Sequence, residues 1–153
     1  MINYQLVSFI IPLFNKEEFI ANCISSVLKQ TYPNYEIIII DDGSTDSSKD
    51  IINEFRKGTD KIKYFYQENK GVSIARNKGI ELCRGDFVLF LDADDSIAPE
   101  FVQNLISNYQ EGDDIVICGL TKVFGNKKLE EVCAPNVGCF SKEQIFEKFK
   151  AQT

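Results

Sequence analysis

Three carboxylates lie within four consecutive positions of this sequence, at Asp92, Asp94 and Asp95. They directly follow an apolar run from Phe87 to Leu91, which predicts a buried strand. Carboxylates this close repel one another, and a bound cation relieves that repulsion. The sequence contains no histidine, and an all-oxygen cluster suits a hard ion such as Mg²⁺ or Mn²⁺ better than zinc. The cluster therefore predicts a divalent-cation site at the end of a strand.

Two other polar positions follow predicted strands. Asn15 comes after Val7 to Leu13, which is apolar apart from Ser8 and Pro12, and Asp42 comes after Ile37 to Ile40. Ligands of open α/β sheets bind outside the carboxyl ends of the strands, where the strand order reverses. Convergence of these residues with the acidic cluster would form one crevice. Taken singly, Asp42 also fits a turn with helix-capping groups, and the cluster also fits solvated loop acids.

Apolar runs alternate with helical patterns along the chain, which indicates repeated β-α units around a mostly parallel sheet. We predict strands at 7–13, 37–40, 62–66, 87–91 and 114–120. A strand buried on both faces reads as a continuous apolar run, and on this ground the strands at 7–13, 37–40 and 87–91 are predicted to be buried. Helices are predicted at 17–30, 47–57, 72–83 and from Pro99 to about Tyr109. Gly125-Asn126 predicts a turn, and Ser141 with Gln144 predicts a capping box for a last helix.

The overall composition predicts one domain spanning residues 1–153, because 44% hydrophobic and 26% charged residues suit one compact core. A net charge of −6 argues against a nucleic-acid partner, whose phosphates attract clustered Lys and Arg. No run suggests a membrane span or a secretory signal, so we expect a cytoplasmic chain. The five cysteines are irregularly spaced, and a zinc site from Cys118, Cys133 and Cys139 has little support.

Four ordered segments also carry a family resemblance. They are Val7 to Glu17, Ile40 to Asp46, Asn69 to Asn77 and Phe90 to Asp95, and they closely resemble the donor-binding half of family 2 glycosyltransferases of the GT-A fold. The resemblance covers about residues 5–110. It implies a Rossmann-like, three-layer α/β/α fold and an inverting enzyme that uses a nucleotide-diphosphate sugar, commonly a UDP-sugar. We expect the acceptor portion to be incomplete in this chain.

The resemblance implies a nucleotide pocket at the end of the first strand. Pro12 and Phe14 would line it, with the aromatic ring beside the base, although Phe14 also fits a core position. Glu17 would reach the ribose or base, although an acid in the first turn of a helix also stabilises the helix dipole. Asp42 would accept the imide N–H of uracil in a charge-assisted hydrogen bond.

The resemblance places the diphosphate and the cation in the later motifs. Asn69 lies in a loop that leads into a helix, and Arg76, which also fits a surface position, would contact the nucleotide. The resemblance implies that Asp94 is the principal ligand of Mn²⁺ or Mg²⁺. Asp92 supports the metal shell or contacts the ribose, with Ala93 between them in the donor-binding segment.

The catalytic base is not identified from the sequence. The available downstream carboxylates lie in no family-like base motif; they are Asp113, Asp114, Glu130 and Glu131. A nucleotide-sugar-binding module without turnover is therefore an alternative. A haloacid-dehalogenase-like phosphatase with Asp92 as nucleophile is a weaker one, because that family places its nucleophile on the first strand of the core. The family resemblance also implies a glycan or lipid-linked acceptor, bacterial cell-surface polysaccharide synthesis and a peripheral contact with the inner face of the membrane.

Overall fold

A computed structural model describes residues 5–112 and, beyond them, the backbone of strands at 115–117, 120–124, 127–132 and 138–140. The chain divides into two compact units, Met1–Glu100 and Phe101–Thr153, and each unit is described by itself. The expectation of a single domain over residues 1–153 stays a prediction.

The first unit is built on a four-stranded parallel sheet with the strand order β3-β2-β1-β4. The strands are β1 (Val7–Leu13), β2 (Tyr35–Asp42), β3 (Ile62–Gln67) and β4 (Phe87–Phe90). Helices α1 (Ile20–Leu28), α2 (Ser48–Arg56) and α3 (Val72–Leu82) connect them in turn. The predicted succession of β-α units around a parallel sheet is confirmed.

The two central strands form the core. Every residue of β1 and β2 is buried, and successive side chains of a strand point to opposite faces of the sheet. Both faces are therefore covered at the centre of the sheet, which is the condition under which strands read as continuous apolar runs.

The prediction of a buried strand at 87–91 is wrong in its burial. β4 ends at Phe90, and its residues alternate between half-buried and exposed, with Val88 42% and Phe90 45% exposed. Among the described residues β4 pairs only with β1, so it lies at an edge of this sheet. An apolar run alone does not distinguish an edge strand from a central one.

The first helix is shorter than predicted. Residues 17–19 form a turn before α1 begins at Ile20, and the backbone N–H groups of Phe19 and Ile20 both donate to the carbonyl of Lys16. The pattern of apolar residues continues through this turn, so periodicity could not locate the boundary. The residues between Leu13 and Ile20 are consequently free to form a loop at the carboxyl end of β1.

Helix α3 approaches β1 through Gly79. A Cβ atom at this position would lie 2.3 Å from Cγ2 of the fully buried Ile10. That methyl group is attached to a β-branched carbon and cannot move without rotating a packed side chain. The absence of a side chain at Gly79 therefore sets the distance between helix and sheet.

We expect Gly79→Ala to lower the free energy of unfolding by roughly 1–3 kcal/mol through overpacking, although alanine is the better helix former. Gly58→Ala is the matched control, because the nearest atom to its Cβ would be the carbonyl oxygen of Phe55 at 3.6 Å. Urea denaturation measures both. A Gly79→Ala variant as stable as the control would show that α3 does not pack this closely.

A buried acid connects the amino ends of the strands, on the edge of the sheet opposite the predicted site. Glu36 is 4% exposed and accepts hydrogen bonds from Ser8 Oγ (2.8 Å), Lys63 Nζ (2.7 Å) and the backbone N–H of Arg84 (2.8 Å). The Arg84 guanidinium donates as well, with Nη2 at 3.1 Å. Burial alone would raise the pKa of Glu36, but the hydrogen bonds from Lys63, Ser8 and Arg84 outweigh it and lower the pKa to about 2.

This carboxylate is expected to make stability depend on pH. The pKa of Glu36 falls from 4.5 to about 2 on folding. The ionised carboxylate therefore stabilises the folded chain in full above pH 4.5, and this part of the free energy of unfolding is lost as the pH falls through about 2. We expect Glu36→Gln to lower the free energy of unfolding by about 3 kcal/mol at neutral pH, with about half of that difference gone near pH 3. Urea denaturation of both proteins across this range measures it, and a difference that stays constant with pH would contradict the assignment.

The second unit begins with α4 (Phe101–Asn108), which starts two residues after Pro99 instead of at it. Its strands are β5 (Ile115–Ile117), β6 (Leu120–Phe124), β7 (Lys127–Val132) and β8 (Gly138–Phe140), and antiparallel pairs form between β5 and β8 and between β6 and β7. The single strand predicted at 114–120 is therefore wrong, because two strands occupy this region, and β7 and β8 were not predicted.

Three further expectations lie outside the described residues. They are the Gly125-Asn126 turn, the helix capped by Ser141 and Gln144, and the zinc site, of whose three cysteines Cys118 and Cys133 are not described and Cys139 is described in its backbone alone, on β8. In the part of the chain that the structure describes, no helix is long and apolar enough to cross a membrane.

Candidate functional site

The strand order brings three loops together at the carboxyl edge of the first unit's sheet. Because β1 lies between β2 and β4, the loop after β1 is flanked by the loops after these two strands. Helix α1 connects β1 to β2, which lies on one side of β1. Helix α3 connects β3 to β4, which lies on the other side of β1. The border between β1 and β4 is therefore the topological switch point at which ligands bind in such sheets.

A cavity of about 520 Å³ opens at this edge. Eight of the nine predicted site residues line this cavity. They are Pro12, Phe14, Asp42, Asn69, Arg76, Asp92, Ala93 and Asp94. Five lining residues were not singled out from the sequence, namely Leu13, Lys16, Gly71, Val72 and Ala75. Residues 82 positions apart thus share one concave surface, as the convergence argument predicts.

The loop after β1 is fastened to the loop after β2. Asn15 has a positive φ of 49°, a conformation that asparagine tolerates better than most residues. Its side-chain Oδ1 accepts the backbone N–H of Thr45 at 2.8 Å, and its own N–H donates to Ser44 Oγ at 3.0 Å. A third bond runs from the Glu17 N–H to Asp46 Oδ2 at 2.9 Å. These bonds hold the neighbours of Asn15 in the cavity wall.

Glu17 is the predicted site residue that does not line the cavity. Its carboxylate accepts the backbone N–H of Ser47 at 2.8 Å, at the amino end of α2. An acid in this position satisfies a free N–H group and stabilises the helix dipole. The contact with ribose or base that the resemblance implies stays a prediction.

Phe14 lies at the cavity and is 47% exposed, so the alternative of a core aromatic is wrong. Val72, at the start of α3, is a second half-exposed apolar side chain in the cavity wall. Apolar groups beside polar ones are typical of small-molecule sites, because apolar surface binds a flat ring while a few polar groups orient it.

Asp42 is held by the segment that leads into α3. Its Oδ1 accepts Gln67 Nε2 and the Lys70 N–H, and its Oδ2 accepts the Gly71 N–H, each at 2.8 Å. Burial alone would raise the pKa of Asp42, but these hydrogen bonds outweigh it and lower the pKa. A carboxylate offers about four acceptor sites, so Oδ2 of this ionised group can accept one more N–H.

Close backbone contact explains the glycine after Asp42. Gly43 has a φ of 86°, and a Cβ atom there would lie 2.9 Å from the backbone nitrogen of Asn69. A larger residue would be strained and would also push away the segment that donates to Asp42. Gly43 therefore allows the loop after β2 and the loop before α3 to meet.

Two ion pairs lie in the cavity. Lys16 Nζ is 2.7 Å from Asp94 Oδ2, and Arg76 Nη2 is 2.7 Å from Asp92 Oδ1. The hydrogen bond from Lys16 holds the pKa of Asp94 below its usual value, so that this carboxylate is ionised at neutral pH. Among the described residues the buried Nε of Arg76 has no hydrogen-bond partner, and an unsatisfied buried N–H is costly.

The acidic loop is anchored to α1 and the residues just after it. Cys23 Sγ lies 3.6 Å from the carbonyl oxygen of Asp92, Ser26 Oγ accepts the Ile97 N–H at 3.2 Å, and Gln30 Nε2 donates to the carbonyl of Ala98 at 2.7 Å. Burial, with the nearby carboxylates, raises the pKa of Cys23 to about 12. The thiol is therefore a neutral packing group beneath the loop.

The donor set fits a hard divalent cation that is completed by other ligands. Asp92 and Asp94 line the cavity, whereas Asp95 does not. Asp95 is exposed, and partial desolvation of its carboxyl together with the charges of Asp94 and Asp92 raises its pKa. Among residues 5–112 no three acidic, cysteine or histidine side chains converge as a ready-made metal cluster. Magnesium-type ions are commonly held by one or two carboxylates together with substrate phosphates, which is the arrangement that Asp92 and Asp94 can offer.

Lys16 is the most important site residue that sequence reasoning missed. It follows Asn15 in the loop after β1, and β1 is the neighbour of the strand that carries the acidic cluster. A cation in that loop could have been assigned only with the strand order known, because 78 residues separate it from Asp94. Gln67, which holds Asp42, carried no sequence signal for the same reason.

Comparisons with known proteins agree with this geometry. Residues 8–151 match the sequence model of the family described as Glycosyl transferase family 2. The putative glycosyltransferase EpsH of Bacillus subtilis is 41% identical over 118 residues, covering 77% of this chain and 34% of EpsH. The putative teichuronic acid biosynthesis glycosyltransferase TuaG of the same organism is 43% identical over 97 residues, covering 62% of this chain and 38% of TuaG.

A similar fold occurs in a solved structure, that of S. aureus TarS 1-349 in complex with UDP. It superposes with a TM-score of 0.62 at 31% identity, covering 66% of this chain and 31% of TarS. The chain thus spans about a third of the length of the relatives it matches. The family match, the relatives and the parallel sheet with its cavity together show that the chain belongs to glycosyl transferase family 2 and has the GT-A fold.

Proposed function

We propose that this chain binds a nucleotide-diphosphate sugar, most simply a UDP-sugar, and serves as the donor-binding half of an inverting glycosyltransferase. The observation that carries the proposal is the gathering of Asp42, Lys16, Arg76, Asp92 and Asp94 in one cavity at the switch point of the sheet. The TarS structure, which contains UDP, supports the choice of nucleotide.

The base-binding end of the proposed site is Asp42. Its Oδ2 has an acceptor position left after the Gly71 N–H is bound, and its lowered pKa keeps it ionised. The imide N–H of uracil would donate to that position, whereas a base with an acceptor there would be repelled. Phe14 would pack beside the base, since its half-exposed ring lies in the same cavity.

The charge of the cavity explains why a cation is needed. Its lining side chains include three carboxylates (Asp42, Asp92 and Asp94) and two cations (Lys16 and Arg76), which leaves a formal charge of −1. A diphosphate would be repelled by this surplus unless positive charge were added. Asp94 and Asp92 would hold Mn²⁺ or Mg²⁺, which when bound supplies Lewis-acid stabilisation of the departing nucleoside diphosphate.

The chain's own groups would orient the donor. The Arg76 guanidinium lines the cavity and carries five N–H donors, so it can donate to a diphosphate oxygen while Nη2 keeps hold of Asp92. The anchoring of the acidic loop to α1 fixes the carboxylates in place before the donor arrives, so that little ordering cost falls on binding. An acceptor hydroxyl would then attack the anomeric carbon from the side opposite the diphosphate.

The base that activates this hydroxyl is not assigned. Asp113 and Asp114 lie outside the described residues, and Glu130 and Glu131 lie on β7, of which the backbone alone is described. A nucleotide-sugar-binding module without turnover is therefore retained as the second candidate, whereas the family match gives no support to a phosphatase. We further propose a glycan or lipid-linked acceptor in bacterial cell-surface polysaccharide synthesis, in line with the name of TuaG.

Calorimetric titration tests the proposal. We expect UDP to bind the chain in the presence of Mn²⁺ and to bind at least about tenfold more weakly when EDTA removes the metal. Absence of UDP binding under both conditions would overturn the proposed function. A UDP-sugar that binds without transfer or hydrolysis of its sugar would favour the binding module over the enzyme.

A further inference from the structure

Lys16 connects the loop after β1 to the acidic loop. Its Nζ lies 2.7 Å from Asp94 Oδ2 and 5.7 Å from the centre of the Phe19 ring. Its backbone N–H donates to Ser48 Oγ at 3.3 Å, in the amino-terminal turn of α2. The stem of this side chain is therefore fixed at its base, while the ammonium group reaches across the border between β1 and β4.

The ion pair between Lys16 and Asp94 engages the carboxylate that the proposed donor site needs for its cation. Both side chains line the cavity, and Asp94 is the carboxylate to which the divalent cation is assigned. An ammonium group and a divalent cation cannot share one carboxylate oxygen at bonding distance without strong repulsion. The four-carbon stem of lysine can rotate to other positions at low cost, so the exchange requires no movement of the backbone.

We propose that Lys16 is an exchangeable counter-ion of Asp94: it competes with the divalent cation for this carboxylate and, once displaced, donates to the diphosphate of the nucleotide. The inference rests on the proposed function and deepens it, because it names a further residue that binds the nucleotide in the same site. An ammonium group carries three donors, and all of them become available to phosphate oxygens when Asp94 turns to the cation.

The proposal predicts opposite effects on two ligands. Without nucleotide, removing the ammonium group frees Asp94 and removes a repelling charge, so Mn²⁺ alone should bind roughly three- to tenfold more tightly. With Mn²⁺ saturating, the same change removes a donor to the diphosphate, so UDP should bind roughly three- to tenfold more weakly. A purely structural ion pair would give no such reversal of sign.

The experiment compares the wild-type chain with Lys16→Met, which keeps the length of the stem and removes the charge. Mn²⁺ alone is titrated by electron paramagnetic resonance, which counts the free ion, and UDP is titrated by calorimetry at saturating Mn²⁺. Lys49→Met is the control, since Lys49 is exposed on α2 and does not line the cavity. The control should change neither affinity by more than about twofold.

The results separate the inference from the function on which it rests. Tighter Mn²⁺ binding together with weaker UDP binding in Lys16→Met supports the exchange. Mn²⁺ affinity that is unchanged or lower in the variant overturns it, as does unchanged UDP affinity, even if the wild-type chain binds UDP well. Failure of the wild-type chain to bind UDP at all contradicts the proposed function instead, and the Mn²⁺ titration still reports on the competition.

Discussion

Asp94→Asn is expected to abolish most of the gain in UDP affinity that Mn²⁺ provides, so that UDP in the presence of Mn²⁺ binds the variant at least about tenfold more weakly than it binds the wild-type chain. The amide keeps the shape of the side chain but loses the negative charge that attracts the cation. Lys16 also loses its carboxylate partner, and its ammonium group becomes free to donate to the diphosphate, so UDP binding in EDTA should change little or improve slightly. Calorimetry of UDP with Mn²⁺ and with EDTA measures both effects.

Asp95→Asn provides the matched control one residue further along the chain. Asp95 is exposed and does not line the cavity, so the same substitution there should alter UDP affinity by about twofold or less. If Asp95→Asn had the large effect and Asp94→Asn the small one, the assignment of the metal ligand to Asp94 would be wrong.

Asp42→Asn is expected to weaken UDP binding by about 10- to 100-fold, which corresponds to the loss of one charge-assisted hydrogen bond. It should also reduce the preference for UDP over CDP, because an asparagine amide can donate to the acceptor nitrogen that cytosine has in place of the uracil N–H. Titration of both nucleotides at saturating Mn²⁺ gives this ratio directly.

The control for this substitution is Asp41→Asn. Asp41 is equally buried, but its carboxylate accepts the Tyr64 hydroxyl and the Ser44 N–H and does not line the cavity. We expect a loss of stability with no change in the UDP to CDP ratio. An Asp42→Asn protein that keeps the full preference for UDP would exclude this carboxylate from base recognition.

The central part of the fold could be predicted from the sequence because its strands are buried on both faces. The predicted strand at 7–13 matches β1, and the predicted strand at 37–40 falls within the longer β2 (Tyr35–Asp42). The β4 run is also apolar, and yet β4 lies at an edge of the sheet. An apolar run does not show which strands or helices will cover it. The strands of the second unit are short or paired antiparallel, and the sequence carries weaker signals for them.

The candidate site was predictable to the extent that its residues lie at or beyond the carboxyl ends of strands. Asp42 is the last residue of β2 and Asp94 lies in the loop after β4, and the rule for parallel sheets brings such positions to one edge. Lys16 and Gln67 act through partners far away in the sequence, and only the strand order reveals these contacts. Glu17 differs from both, because its position in a motif gave no indication that its carboxylate accepts the Ser47 N–H at the amino end of α2.

A crystal structure of this chain with UDP and Mn²⁺, in which the anomalous signal of manganese locates the ion, tests the central claim most directly. We predict an ion bonded to Asp94 and to the diphosphate, with the uracil N–H at hydrogen-bond distance from Asp42 Oδ2. A nucleotide bound away from the carboxyl edge of β1, β2 and β4, or an ion that does not contact Asp94, would contradict the account.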